Sequence, residues 1–477
     1  YFKKDEKEAW QLTGGLFNWA LLILMVISVI FIFFAPWVVS LIAPGFSGEK
    51  KELTITLTRI MFLSPLFLGM SAILSGVLQY FRRFFVYSLA PIIYNLGIIF
   101  GILFFVPRWG LIGLAWGVVL GAFLHFLIQL PSAFYSGFKL NLNLKFHKGI
   151  KKILQLTVPR TIGLAGFQIN YVVITAIASS LAVGSIAIFN LANNLQYVPI
   201  GIIGISFAMA VFPRLVESSA EKDEKEFSHN FSSVFSQILY LVLPITVLFF
   251  VLRAQIIRLI LGTGQFSWAD TRLTAAALGI FAISVFAQSL IPLVSRAFYS
   301  LHDTKTPVSI SLISIGLNIG LSFGFVWILN GANIFSHFFS NILKLSGIKH
   351  FAVLGLPVAF SLANIFNFLV LMKFFNKRVK NWNLKLILNS VYKIIISCIL
   401  MAGVIYGFLH ILSLFVNNRT FIGLFIQTAI SAGVGIAIYF LISLLLKLPE
   451  PVSCIKRLFR SKDNQAIIPL NEPEQHP

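Results

Sequence analysis

Four cations lie within or at the edges of long apolar stretches: Arg59, Arg160, Arg296 and Lys393. A charge at membrane depth is costly and is kept where it binds an anion or a carbonyl, or where it can snorkel to water. Arg59 and Lys393 lie near the starts of their stretches and can snorkel. Arg160 and Arg296 lie deeper, so they are candidates for holding an anionic ligand. The carboxylates are placed differently. Every Asp and Glu, from Asp5 to Glu474, falls in a polar connection, at the edge of a stretch or near a terminus. Proton-coupled carriers usually keep carboxylates at membrane depth, and acid–base catalysis needs a positioned proton carrier. The visible stretches hold neither. His125 and His410 sit near stretch ends, and the two cysteines, Cys398 and Cys454, fit neither a disulfide framework nor a metal site. No cofactor is expected.

The elements that carry these residues must be membrane helices. Hydrophobic residues make up 58% of the 477 and charged residues 11%, with a mean hydropathy of +0.89. A soluble domain is nearer half apolar and a quarter charged. A helix needs roughly 20 apolar residues to cross a bilayer, and about twelve stretches qualify. They run over 16–43, 57–80, 85–106, 110–131, 153–181, 185–212, 232–252, 273–299, 307–329, 351–373, 386–414 and 421–446. The alternating polarity of β-barrel strands is absent. The fold class is therefore an all-α polytopic membrane protein.

The net charge of +21 is distributed as membrane orientation demands, not as a nucleic-acid surface. With Tyr1 in the cytoplasm, alternate connections hold most of the lysines and arginines, including Arg82, Arg83, Lys151, Lys152, Lys377 and Arg378. The opposite set holds only Lys50, Lys51, Arg108, Arg253, Arg258, Arg272, Lys344, Lys349 and Arg419. This positive-inside bias predicts that both visible termini are cytoplasmic.

Two segments resemble each other. Asn95-Leu-Gly97-Ile-Ile-Phe100-Gly101 matches Asn318-Ile-Gly320-Leu-Ser-Phe323-Gly324, each after a Pro-containing helix start (Pro91 and Pro307). Each precedes a Gly-Leu step, Gly113-Leu114 and Gly355-Leu356. Six spans separate the copies, so both have one orientation and predict two parallel-repeat lobes. The second copy carries an insertion near 330–350, with Phe335, Phe338, Phe339, Ile342 and Leu343 against polar residues. It predicts an amphipathic helix at the interface.

Five motifs then follow in order. They are Gln168, Ala178-Ser179-x-Leu181-x-x-Gly184-Ser185 and Ala192-Asn193-Asn194-Leu195-x-x-x-Pro199-x-Gly201. Next come Gly264-x-Phe266-x-x-x-Asp270-x-x-x-Thr274 and Phe298-Tyr299-x-x-x-Asp303-x-x-Thr306-Pro307-Val308. Together with Ala35-Pro36-Trp37, Ala43-Pro44-Gly45-Phe46 and Ala90-Pro91-Ile92-x-x-Asn95, this pattern resembles the MurJ (MviN) lipid II flippase family of the MATE-like MOP exporter superfamily. From the residues alone, Asp270 is expected to cap the helix after it, and Asp303 with Thr304 and Thr306 to shape the turn before Pro307.

The resemblance implies fourteen helices, of which twelve are visible and the first two precede residue 1. Residues 1–134 would be the remainder of the first lobe, 153–378 the second, 386–446 two accessory helices forming a groove for a polyprenyl tail, and 447–477 a tail. That tail reads as a basic interfacial stretch, 452–462, followed by a disordered end. The resemblance also implies a transporter, not an enzyme, in the bacterial plasma membrane. Its substrate would be lipid II, an undecaprenyl-pyrophosphate-linked disaccharide-peptide, flipped outward by alternating access through a polar, cationic cavity. Membrane lipids and cell-wall synthesis proteins would be its neighbours, and a monovalent cation could couple transport. Where the family usually has Asp-Arg, this chain has Asn193-Asn194, which can hydrogen-bond a phosphate but supply no charge. The expected substrate-binding set is Asn193, Asn194, Arg160, Gln168, Asn170 and Arg296. An exporter of another lipid-linked saccharide or a small cation, or a non-transporting scaffold, are the alternatives.

Overall fold

The computed structural model describes residues 5–139, 147–262, 266–331, 333–343, 345, 347–348, 350–379 and 384–451. The side chains of 156, 158–160, 162–165, 167 and 384–386 lie outside that description, as do Gly264 and the tail segments 452–462 and 463–477. Among the described residues there are helices and no strands, and eleven helical spans are long and apolar enough to cross a membrane. The expected span at 153–181 is also a helix, Lys148–Ser179, with side chains described only in part. Two compact units divide the chain, Tyr1–Ser180 and Leu181–Pro477. The division falls after that helix, whereas the sequence reading opens the second lobe at 153.

The first unit contains α1 (Glu6–Phe33), α2 (Ala35–Ile42), α3 (Gly48–Met61), α4 (Ser64–Tyr80), α5 (Phe84–Phe100), α6 (Val106–Trp109), α7 (Leu111–Leu127), α8 (Leu130–Tyr135) and α9 (Lys148–Ser179). The first span starts earlier than its apolar run, at the Asp5 cap, whose carboxylate accepts from the backbone N–H of Lys7 and Glu8. It breaks at Phe34. Pro36 has no N–H to give to the Ile32 carbonyl four residues back, and Arg59 Nε donates to that carbonyl at 3.3 Å. Arg59 thus serves a helix break. The second span likewise begins earlier, at Gly48, and is interrupted between Met61 and Ser64.

Helix α5 continues into a π-helical turn, Gly101–Phe105, and packs along α7. The packing is backbone to backbone: a Cβ on Gly97 would lie 2.5 Å from Gly121 Cα, and one on Gly117 2.8 Å from Gly101 Cα. Small residues let membrane helices approach in this way, because lipid supplies no hydrophobic drive for association. Trp37 and Phe85 remain exposed, as side chains facing lipid would be.

The second unit contains α10 (Ser185–Pro199), α11 (Ser206–Ala220), α12 (Glu224–Val251), α13 (Arg253–Leu261), α14 (Trp268–Ser300), α15 (Lys305–Asn330), α16 (Ile334–Ile342), α17 (Gly355–Arg378), α18 (Leu384–Phe415) and α19 (Phe421–Leu445). Helix α14 is buried along most of its length and packs against α12, α17 and α10. Phe231, Phe235, Phe298 and Phe375 form the centre of this core. Pro244 withholds an N–H from the Tyr240 carbonyl, and Tyr439 Oη donates to that carbonyl at 2.7 Å, tying α19 to α12. Lys393 Nζ donates to the Leu446 carbonyl at 2.9 Å, at the C-terminal end of α19 where a cation suits the helix dipole.

The insertion near 330–350 forms α16, started by an Asn333–Ser336 capping box and presenting exposed Ile334, Phe335, Phe338 and Ile342. Helix α14 is capped by Ser267, and Asp270, expected as the cap itself, lies inside the first turn as the reciprocal residue of the capping box. Asp303 holds the turn before Pro307 through the Thr306 N–H at 3.0 Å and Thr306 Oγ1 at 2.8 Å. Those bonds keep its carboxyl below the usual aspartate range.

Candidate functional site

In the second unit, a line of side-chain amides and hydroxyls crosses three apolar helices. Gln196 Nε2 donates to Asn193 Oδ1 at 2.9 Å, and Gln288 Nε2 donates to Gln196 Oε1 at 3.0 Å. Gln288 Nε2 also donates to Ser284 Oγ at 2.9 Å, and Ser284 Oγ donates to Ser361 Oγ at 3.1 Å. The line ends where Ser361 Oγ meets the Ile280 carbonyl at 3.2 Å. Helical spacing makes this possible. Asn193 and Gln196 are three apart on α10, Ser284 and Gln288 four apart on α14, so each pair shares a face. Inside a bilayer an unsatisfied amide is costly, and each such bond contributes about 0.5–2 kcal/mol. The line fixes α10, α14 and α17 in register. Asn194, one residue on, is turned by about 100° and is exposed.

Arg296 lies about two helical turns beyond Gln288 on α14. Pro199 ends the regular hydrogen bonding of α10, and the chain continues as a π-helical turn, Ile200–Ile205, before α11. Gly204 in that turn packs onto α14, where a Cβ would lie 2.6 Å from the Ser289 carbonyl oxygen. Arg296 Nη1 donates to the Ile205 carbonyl at 3.4 Å, a long bond, and no described carboxylate pairs with it. A half-buried guanidinium with five donors and one weak neutral partner keeps most of its capacity for a phosphate.

The remaining expected residues belong to the first unit. Gln168 and Asn170 lie on α9, Gln168 exposed and Asn170 half-buried. Arg160 is in the same helix, and its side chain lies outside the described residues. His125, read from sequence as near a span end, is held in a separate polar cluster: Ser71 Oγ is 2.7 Å from its Nδ1, and Gln129 Nε2 donates to Ser71 Oγ at 2.6 Å. Among the described residues no group of three or more His, Cys, Asp or Glu could hold a metal. Sequence reasoning missed Gln196, Gln288, Ser284 and Ser361. The signal available was a glutamine within each of two long, mainly apolar spans, Gln196 and Gln288.

Long apolar helices joined through buried amides, with a cation that no described carboxylate pairs, are those of a multi-pass helical membrane protein. Residues 1–426 match the family described as Lipid II flippase MurJ. A "Probable lipid II flippase MurJ" of Rhizobium tropici is 30% identical over 65% of this chain. The match spans 59% of that relative's length. A solved structure described as "Lipid II flippase MurJ, inward closed conformation" is similar with a TM-score of 0.72 and 25% identity, covering 96% of this chain and 86% of that one. An inward-facing multidrug resistance MATE family transporter of the MOP superfamily shares the fold, with a TM-score of 0.60 at 14% identity, over 78% of this chain and 88% of that one. The chain belongs to the MurJ family.

Proposed function

We propose that this chain moves lipid II from the inner to the outer leaflet of the bacterial inner membrane by alternating access. The observation that carries the reading is the family match over 1–426, on a multi-pass helical fold whose apolar spans hold a few cations and keep carboxylates to their edges. Asn193, Asn194 and Arg296 of the second unit, with Arg160, Gln168 and Asn170 of the first, are the residues we assign to the head group. Arg296 supplies positive charge that Asn193 and Asn194 do not. Both visible termini are assigned to the cytoplasm, a reading the distribution of lysine and arginine supports. Any net charge carried across is driven by the membrane potential at about 2.3 kcal/mol per charge per 100 mV, and a monovalent cation resets the empty carrier. Membrane lipids and cell-wall synthesis proteins are its neighbours.

Reconstitution of the full chain in liposomes with a fluorescent lipid II analogue tests this. Outward appearance of the analogue, accessible to a membrane-impermeant quencher, should depend on the chain and fall in Arg296→Gln. Transfer at the rate of empty liposomes would refute the reading.

A further inference from the structure

The second unit contains a cavity of about 1090 Å³ at the end of the bundle that carries the α18–α19 connection. Arg253, Arg258, Arg272 and Arg419 all line it, and among the described residues no Asp or Glu does. These come from four separate places: the start and last turn of α13, the first turns of α14, and the turn before α19. By charge distribution they belong to the outward set, the side from which lysine and arginine are otherwise depleted. Convergence of four arginines there runs against that bias.

Their partners are neutral. Arg253 Nη1 donates to the Phe250 carbonyl at 2.6 Å, and Arg258 Nη2 to the Asn418 carbonyl at 2.9 Å. Arg272 stacks over the Trp268 ring at 4.4 Å. None of these contacts cancels charge, and no described carboxylate pairs with any of the four. Four guanidinium groups around one cavity repel each other through a partly desolvated medium. Carbonyl contacts hold Arg253 and Arg258 and a ring contact holds Arg272, and these use only part of the donor capacity of each guanidinium. Fork-shaped donors of this kind suit phosphate better than a single point charge does. The volume exceeds that of a single phosphate.

We propose that this cavity is a second anion site, separate from Arg296, that takes a phosphate- or diphosphate-bearing ligand at the outer membrane face. The ligand is either a lipid head group or a free diphosphate; the chemistry of recognition is shared. Binding at this face would hold an anionic group near the surface where a transported lipid emerges.

The test is equilibrium binding of inorganic pyrophosphate to the full chain in nanodiscs of neutral phosphatidylcholine. It reads the site without requiring transport, so its failure and a failure of flipping are told apart. The wild-type chain should bind one pyrophosphate that Arg258→Gln/Arg272→Gln loses or binds at least about tenfold more weakly, as loss of charge-assisted contacts predicts. Lys50→Gln/Lys51→Gln, outward cations of the first unit, should bind as wild type. If the double variant does not elute as a monodisperse helical protein, Arg419→Gln alone replaces it. Adding phosphatidylglycerol to the discs separates the sources. Weakened pyrophosphate binding in wild type assigns the site to a lipid head group, and unchanged binding assigns it to a free diphosphate. No saturable binding, or equal binding by wild type and the arginine variants, overturns the proposal.

Discussion

The hairpin α5–α7 of the first unit and the hairpin α15–α17 of the second carry the same short motif and use it in opposite ways. In the first, Gly97 and Gly101 are filled by the backbone of α7, and Asn95 is exposed, donating to its own helix at Pro91. In the second, Gly320 and Gly324 face open space, with no described atom within 4 Å of a Cβ position, and Asn318 is buried. Ser314 Oγ instead reaches across to the Ala363 carbonyl at 2.7 Å. The Gly-Leu step is used alike: Gly113 meets the backbone at Phe105 and Val106, and Gly355 meets it at Phe325 and Val326. A shared sequence therefore places a shared corner, while the partner helix decides which face is packed. Away from that corner the first hairpin is held by close backbone approach, and the second has the Ser314–Ala363 bond in its place.

The sharpest way to break this contrast is to fill the glycine interface. Gly101→Ala should destabilise the first unit by about 1–3 kcal/mol, as overpacking does, seen as a lower unfolding temperature of the detergent-solubilised chain. Next in size is the polar line of the second unit. Gln288→Leu should cost about 1–3 kcal/mol by leaving Gln196 and Ser284 short of a partner, and Gln196→Leu added to it should cost less than a second full increment. The opposite sign is expected at the open glycines. Gly324→Ala should be neutral or raise stability by up to about 1 kcal/mol through helix propensity, and a loss equal to that of Gly101→Ala would end the comparison.

The smallest effect concerns the turns entering the two hairpins. Arg82 and His302 hold the left-handed conformation at equivalent places, with φ of 55° and 59°. The next residue is Arg83 in one and Asp303 in the other. The Thr306 N–H and hydroxyl hold the Asp303 carboxyl below its unfolded value. The stabilisation from Asp303 is thus present above the unfolded pKa and lost as pH falls through the lower, folded one. Unfolding temperature measured from neutral to acid pH should drop more for wild type than for Asp303→Asn. Parallel curves would show that the turn does not depend on the charge.

Much of this was legible in advance. Apolar run length placed the spans, turn chemistry placed Asp270 and Asp303, and the extra length of the second repeat copy with its amphipathic pattern placed α16. What lay hidden depends on partners far apart. Gln196 and Gln288 are 92 residues apart, and the Tyr439 hydroxyl serves a carbonyl freed by Pro244 on another helix. The breaks at Phe34 and before Ser64, and both π-helical turns, interrupt runs whose hydropathy is continuous. Of the candidate site, Asn193 proved to anchor a buried polar line and Arg296 to lie beside a π-helical turn. Asn193 meets Gln196 at local helical spacing, but no local pattern could have paired Gln196 with Gln288 or Arg296 with the Ile205 carbonyl.

The central claim is transport of lipid II, and depletion tests it most directly. Cells that depend on this chain would be depleted of it and their outer-leaflet lipid II measured by cleavage or labelling from outside. The account predicts that outer-leaflet lipid II falls while the inner pool accumulates, and that wild-type chain restores export better than Arg296→Gln. Unchanged outer-leaflet lipid II after depletion would contradict it.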